Sequence, residues 1–407
     1  MRMFRLLRGL VFGGLAASAP SSLVCNTQAA APGVAEANTA FACDLYGGLK
    51  DGQGNLFFSP YSVSTCLGMT YAGARGETEK QMARVLHFSG NAAETHAALG
   101  HLQREVAGAG TGPGLQLRIA NGLWAQAGQP FRGEFLKVAQ GDYQARLEQA
   151  DFKTGAEVAR KTINWWVAAQ TEERILDLLP AGSVGASTRM VLANAIYFKG
   201  AWAKPYAKNE TTVQPFHRET GGQAEAPLMH HFDEVGYMEN GDLQAVELPY
   251  RGGQLSMVVL LPRQASGCGR LESQLTPGFI AQSLASMKRQ RVELFLPRFK
   301  LEFQSELKAA LTRLGMSDAF SPRSDFSGMD GSRLLYVSGV YHKAWVEVSE
   351  EGTEAAAATG LVVNMRAMAR PIAAPPVFRA DHPFVFFIRE GQSGSILFLG
   401  RLADPGK

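Results

Sequence analysis

Hydrophobic residues recur along the chain in two rhythms. Ala35 to Leu49 and Ser59 to Leu86 space them three and four apart, which gathers them on one side of a helix; the stretch Gly73 to Gly76 breaks the second run. Lys161 to Leu179 carries the same helical spacing, with Ile163, Trp166 and Val167 on one side. A glycine-rich loop, Ala107 to Gly114, leads into Leu-Gln-Leu-Arg-Ile, whose strict alternation predicts a half-buried strand. From Met190 strand patterns take over: MVLANAIYFKGAW, LQAVELPY, LSMVVLLP and VELFLPRFKLEF. One helix, Ser305 to Leu314, interrupts before VFRADHPFVFFIRE and SILFLGRL close the chain. Helices come first and strands follow without regular βαβ alternation, so the predicted class is α+β. No internal repeat or linker-like stretch divides the chain.

Composition adds an ordinary globular interior: 46% of the 407 residues are hydrophobic and 19% charged. The amino terminus stands apart. Arg2, Arg5 and Arg8 precede an apolar run, Gly9 to Ala17, and small residues follow, the layout of a secretory signal peptide cut near Ala29. Residues 1–30 are therefore expected to leave, and the mature protein to be secreted or periplasmic. They hold three arginines and no acid, so their loss takes the formal charge from +3 to zero. A neutral chain argues against a nucleic-acid partner, which needs a basic face. No later run is long and apolar enough to span a bilayer. Of the cysteines, Cys25 falls in the leader, and Val24 before it is a poor fit to lipoprotein acylation. Cys43, Cys66 and Cys268 cannot make a disulfide framework and read as buried free thiols.

Catalytic constellations are missing. Gly391-Gln-Ser-Gly-Ser lacks the spacing and the strand-turn-helix setting of a nucleophile elbow. There is no H-E-x-x-H, no Walker loop and no G-x-G-x-x-G opening a helix after a strand. His230 and His231 are adjacent, and neighbours on a strand face opposite ways, so they do not share a metal easily. The expectation is a non-enzyme without metal or cofactor.

One segment has no obvious structural use: Gly352 to Gly360 reads G-T-E-A-A-A-A-T-G, with nothing large to bury and no proline. By local propensity it is an alanine-rich helix turn with Thr353 as its cap. Its context says otherwise. NLFFSPYSVSTCLGMTYAGARGETEKQMARVLHF (Asn55–Phe88), INWWVAAQTEERILDLLP (Ile163–Pro180), LANAIYFKGAW (Leu192–Trp202), YHKAWVEVSEEGTEA (Tyr341–Ala355) and FRADHPFVFFI (Phe378–Ile388) together resemble the serpins, a family of serine protease inhibitors, in the family's order. With its leader, the chain resembles a secreted, bacterial-type member.

The resemblance implies one domain over residues 31–407, about nine helices around three β-sheets, and an exposed reactive-centre loop within residues 350–376. In such proteins the loop is bait. A protease that cuts it is held as an acyl-enzyme while the loop enters the central sheet as a new strand. The hinge would comprise Glu350, Gly352, Thr353, Glu354, Ala355, Ala356, Ala357 and Ala358. In an inserting strand Thr353, Ala355, Ala357 and Thr359 would face the interior, and Glu354, Ala356, Ala358 and Gly360 would face away. Ser59, Ser62, Asn194 and His342 match a polar cluster beneath the part of the sheet that opens. Trp202 matches the point of entry, and Arg298 the partner of Glu350, in an expected bidentate pair. Fourteen residues beyond Gly352 stands Arg366, so the bait bond is expected at Arg366–Ala367. Its target would be a trypsin-like protease. Arg370 is disfavoured by Pro371, and a backward count from Pro383 points near Ile372; Met365 and Met368 leave room for an elastase- or chymotrypsin-like second target. A cysteine protease is a further implied target, and the protein an implied monomer. The other serpin reading is a non-inhibitory carrier, chaperone or binding module, against which the small hinge residues speak.

Overall fold

The computed structural model of the chain describes residues 32–353 and 374–406, except Gln53, Gln129 and Thr220. Its first helices follow the predicted spacing. Helix α1 (Pro32–Leu49) leads to α2 (Pro60–Tyr71) and α3 (Gly76–Val85), separated at the expected glycines. The Ser59 side chain caps α2 by accepting from Ser62 N–H, and Pro60 sits where its missing N–H costs nothing. Every residue of α2 is buried. Helix α4 (Ala92–Ala109), capped by Asn91, was not foreseen and takes the first residues of the expected loop. Helix α5 (Gly133–Gly141) follows.

The helix predicted over Lys161–Leu179 is displaced. Helix α6 runs from Phe152 to Gln170, capped by Asp151, and stops there. Glu172, Glu173 and Asp177 all take positive φ. The Asn164 side chain then bonds both backbone groups of Leu179, at 2.9 and 2.8 Å. Ile175, Leu178 and Leu179 are fully buried, so apolar residues at helical spacing serve a strap packed on a sheet rather than another helical turn. Short helices α7 (Cys268–Ser273), α8 (Pro277–Ala285), α9 (Lys308–Arg313) and α10 (Ser327–Asp330) complete the set. Ten α-helices thus stand among the described residues, against the nine or so implied.

Among the described residues the strands pair into two sheets, because one strand links two of the three expected. The larger has the order β1 (Leu56–Phe58), β15 (Ile396–Leu402), β14 (Phe384–Glu390), β8 (Leu255–Pro262), β7 (Leu243–Pro249), β6 (Gln223–Glu239), β9 (Lys288–Pro297) and β13 (Val377–Arg379), with β5 (Thr212–His217) also on β6. The long strand β6 pairs with β5 at one end and β7 at the other, and with β9 between, so it joins two expected sheets into one. The run VELFLPRFKLEF divides at Arg298 into β9 and β10 (Phe299–Glu306), which lie in different sheets.

The second sheet has the order β10, β11 (Gly339–Ser349), β12 (Gly352–Thr353), β4 (Met190–Ala201), β2 (Leu115–Gln126) and β3 (Arg146–Ala150). β4 is buried on both faces, all but Lys199. One face meets the main core, which α2 and the larger sheet share; Ala193, Ala195 and Tyr197 on the other meet α6 and the strap. A central strand covered on both sides reads as continuously apolar, as MVLANAIYF does.

Candidate functional site

The sheet around β4 is forked. From Gly339↔Val191 to Trp345↔Tyr197, β11 and β4 pair directly and in parallel. Beyond that they separate, and β12 lies between them. Thr353 pairs with Val348 on one side and Gly200 on the other, and Gly352 with Ser349 and Ala201. Gly352 has φ +140°, and a Cβ there would stand 2.1 Å from the Gly200 carbonyl oxygen, so only glycine fits. Thr353 is fully buried and its hydroxyl lies 2.9 Å from that of Tyr250. The inward orientation expected of Thr353 is what the structure has. Glu354, Ala355, Ala356, Ala357, Ala358, Arg366 and Ala367 lie outside the described residues, as do residues 1–31 with the expected leader and Cys25.

Trp202 closes the fork from below. Its ring stacks on Tyr250 at 4.7 Å and 8°, and its indole N–H donates to the Ser349 carbonyl at 3.0 Å. Trp202 N–H donates to Glu351 O, and Tyr206 N–H to Glu350 O. Glu350 is buried, and its carboxylate accepts from the Thr211 hydroxyl at 2.8 Å. Arg298 reaches it through Nη1 alone, at 3.4 Å, so the expected bidentate pair is not formed. The guanidinium is half exposed and held only at its tip, while Thr211 takes the shorter contact. Burial pushes the Glu350 carboxyl up, but its backbone hydrogen bond, Thr211 and Arg298 outweigh that and hold it below the ordinary range.

Lower on the sheet, Ser59, Ser62, Asn194 and His342 come together as the resemblance implied. All four are fully buried. His342 Nε2 accepts from Ser59 N–H at 3.1 Å, and a backbone amide can only donate. The imidazole proton therefore sits on Nδ1, which donates to Asn194 Oδ1. Burial lowers the His342 pKa to about 3, so the ring is neutral at ordinary pH. Asn194 Nδ2 donates to the Ser62 carbonyl at 2.9 Å, to Ser62 Oγ at 2.6 Å, and to Asn121 Oδ1. Because His342 pairs with Asn194 on β4 and Asn194 with Asn121 on β2, the polar row crosses three strands. Ser59 Oγ ties it to the larger sheet through Leu397 O at 2.6 Å. The network bridges β11 and β4 where the two strands pair directly.

Asn121, Thr211 and Tyr250 were missed from sequence. Tyr250 ended a run that reads simply as buried strand. Asn121 had a usable signal, being a polar residue in an apolar stretch like Asn194. His230 and His231 face opposite ways as expected: His230 contacts Glu210 and Glu293, and His231 stacks on Tyr206 at 3.8 Å. Among the described residues no group of His, Cys, Asp and Glu is arranged to hold a metal ion, and no helix is long and apolar enough to cross a membrane. Cys43, Cys66 and Cys268 are free, and burial pushes the first two thiols up to about 12.

Comparison with known proteins covers nearly all of the described chain. A family profile described as "Serpin (serine protease inhibitor)" matches residues 36–405. The leukocyte elastase inhibitor of Bos taurus is 42% identical, over 91% of this chain and 98% of its own. Human Serpin B3 is 40% identical, over 91% and 99%. Among solved structures, Serpin48 of the insect Tenebrio molitor superposes with a TM-score of 0.82 at 32% identity, covering 91% of this chain and 98% of its own.

Proposed function

Because the chain belongs to the serpin family, we propose that it inhibits serine proteases as a suicide substrate, giving up one loop bond to trap the enzyme that cuts it. The observation that carries this reading is the fork: Gly352 and Thr353 already occupy a strand position between β11 and β4. Residues that follow a hinge seated there need only continue the strand, and their small side chains face a packed interior without overfilling it. The bait bond is Arg366–Ala367, and the preferred target carries an acidic specificity pocket as trypsin does. Fourteen inserted residues at about 3.3 Å each would drag the bound enzyme roughly 46 Å. Two adjuncts belong to the proposal: export by the amino-terminal leader, and action as a monomer on serine or cysteine proteases.

A second target class has its own support. The bovine relative is named an elastase inhibitor, and Met365 and Met368 flank Arg366 with apolar side chains that such enzymes accept. Mixing the protein with trypsin, and separately with an elastase, distinguishes the two. The expected result is a covalent complex with trypsin that survives boiling in detergent, and a released peptide beginning at Ala367. A complex with elastase alone transfers the bait bond to a methionine; clean cleavage by both without any complex ends the inhibitory reading.

A further inference from the structure

Three of the five tryptophans lie together, far along the chain from the hinge. Trp124 on β2 meets Trp166 of α6 edge to face, with centroids 5.0 Å apart and planes at 69°. Trp165 is 73% exposed and Val158 71% exposed. Val158, Thr162 and Trp165 stand four and three residues apart, so one outward face of α6 carries them. Between this face and the edge strand β3 is a cavity of about 410 Å³, bounded by these residues and by Arg146, Glu148 and Asp151. That volume is typical of a small-ligand site. A soluble protein rarely leaves such large side chains open around a concavity without use for them.

The charges around the cavity narrow the occupant. Arg146 is matched by Glu148, Nη2 to Oε1 at 2.8 Å. Asp151 is spent on capping α6, accepting from Lys153 N–H, Thr154 N–H and the Thr154 hydroxyl, but its negative charge remains. Around the rim carboxylates outnumber cations by one, Glu148 and Asp151 against Arg146, with Asp151 also facing the positive end of α6, and an indole attracts a cation to its face.

We propose that this cavity binds a small hydrophobic organic cation, an aryl- or alkylammonium group held against the three indoles with its charge toward Asp151 and Glu148. The site lies on the α6 face of the β4 sheet, and binding there requires no protease, so its test is independent of the inhibitory reading.

The probe is benzyltrimethylammonium, titrated into the intact protein and followed by the indole N–H signals in NMR. Its neutral carbon isostere, neopentylbenzene, and the anion benzylsulfonate are the comparisons. Saturable shifts are expected at Trp124, Trp165 and Trp166 and not at Trp202 or Trp345. Asp151→Asn keeps a good helix cap while removing the charge. It should weaken the cation about tenfold and leave neopentylbenzene unchanged. Trp165→Ala, at an exposed position, should weaken both. Absence of saturable shifts overturns the proposal, as does equal binding of the cation and its neutral isostere to the parent. Tighter binding of benzylsulfonate would also overturn it and give the cavity to Arg146.

Discussion

Thr353 Oγ1 and the Tyr250 hydroxyl lie 2.9 Å apart, and both side chains are fully buried where β11 and β4 part company. A guanidinium there would have to displace this buried pair of hydroxyls. Thr353→Arg should fold, because residue 353 can stay outside the fork, and should still be cut in the loop. It should no longer trap the enzyme, since burying an unpaired charge costs on the order of several kcal/mol. Gel analysis with trypsin gives the answer: cleaved product without complex is expected, and a complex formed as well as by the parent would sink entry at Thr353.

Gly352→Ala tests the same entry from the backbone side. The left-handed φ and the 2.1 Å approach to Gly200 O forbid a Cβ while β12 is paired. The variant should fold with its hinge outside the fork. Trp202 and Tyr206 would then lose their acceptors Glu351 O and Glu350 O, and their amides should exchange with solvent faster. The His342↔Asn194 region, paired without help from β12, should exchange as in the parent. Unchanged protection at Trp202 and Tyr206 would mean the fork does not depend on the glycine.

Acid should weaken the fold through its buried histidines. Burial lowers His342 to a pKa of about 3 and His96 and His231 to about 4. Unfolded, each titrates near the ordinary value of about 6.5. Between 6.5 and the lowered values the unfolded chain binds more protons than the folded one. Stability is therefore intact above pH 6.5 and falls as pH drops through that window, each histidine adding a slope of up to about 1.4 kcal/mol per pH unit. Replacing His342 by Leu should flatten the slope in urea unfolding measured from pH 7 to 4. It should also cost ~1–3 kcal/mol at pH 7, because Ser59 N–H loses its acceptor. An acid slope as steep as the parent's would remove His342 from the account.

How much of this was legible beforehand depended on where the information lay. The α+β class and the edges of α2 and α3 were, since glycines and Ser59 act locally. The polar cluster was legible only through family resemblance: Ser59, Asn194 and His342 are 283 and 148 positions apart in their pairings, and periodicity says nothing about such distances. The end of α6 was misplaced because Ile175, Leu178 and Leu179 keep a helical rhythm while packing against α6 itself and a distant sheet, instead of extending the helix. Three sheets became two because one long strand can serve both ends, a fact set by pairing partners rather than by its own composition. The bidentate Arg298–Glu350 pair failed because Thr211, which no motif marked, takes the shorter contact.

The last prediction follows from what insertion must do to the ladder. β11 and β4 are bonded to each other from Gly339 to Trp345, through the His342↔Asn194 pairing. A new strand breaks that one ladder and replaces it with two, one on each side, as Gly352 and Thr353 already show at the fork. Each backbone bond added is worth ~0.5–1.5 kcal/mol net, so a strand of this length rivals the whole stability of an ordinary domain, ~5–15 kcal/mol. Cutting Arg366–Ala367 frees the segment from Gly352 to Arg366 to make that exchange. The carboxy-terminal piece should stay attached, because β14 and β15 are paired inside the larger sheet and Phe384 to Ile388 are buried. Loop-cleaved protein should accordingly co-purify as two chains and melt on the order of tens of degrees above the intact protein. Ordinary nicking would lower the midpoint, since it loosens the chain. The Thr353→Arg variant, once cut, should gain little, which separates insertion from relief of a strained loop. Calorimetry on the four samples, intact and cut, parent and variant, decides the matter: a cut parent that melts no higher than the intact one leaves the fork without a mechanism.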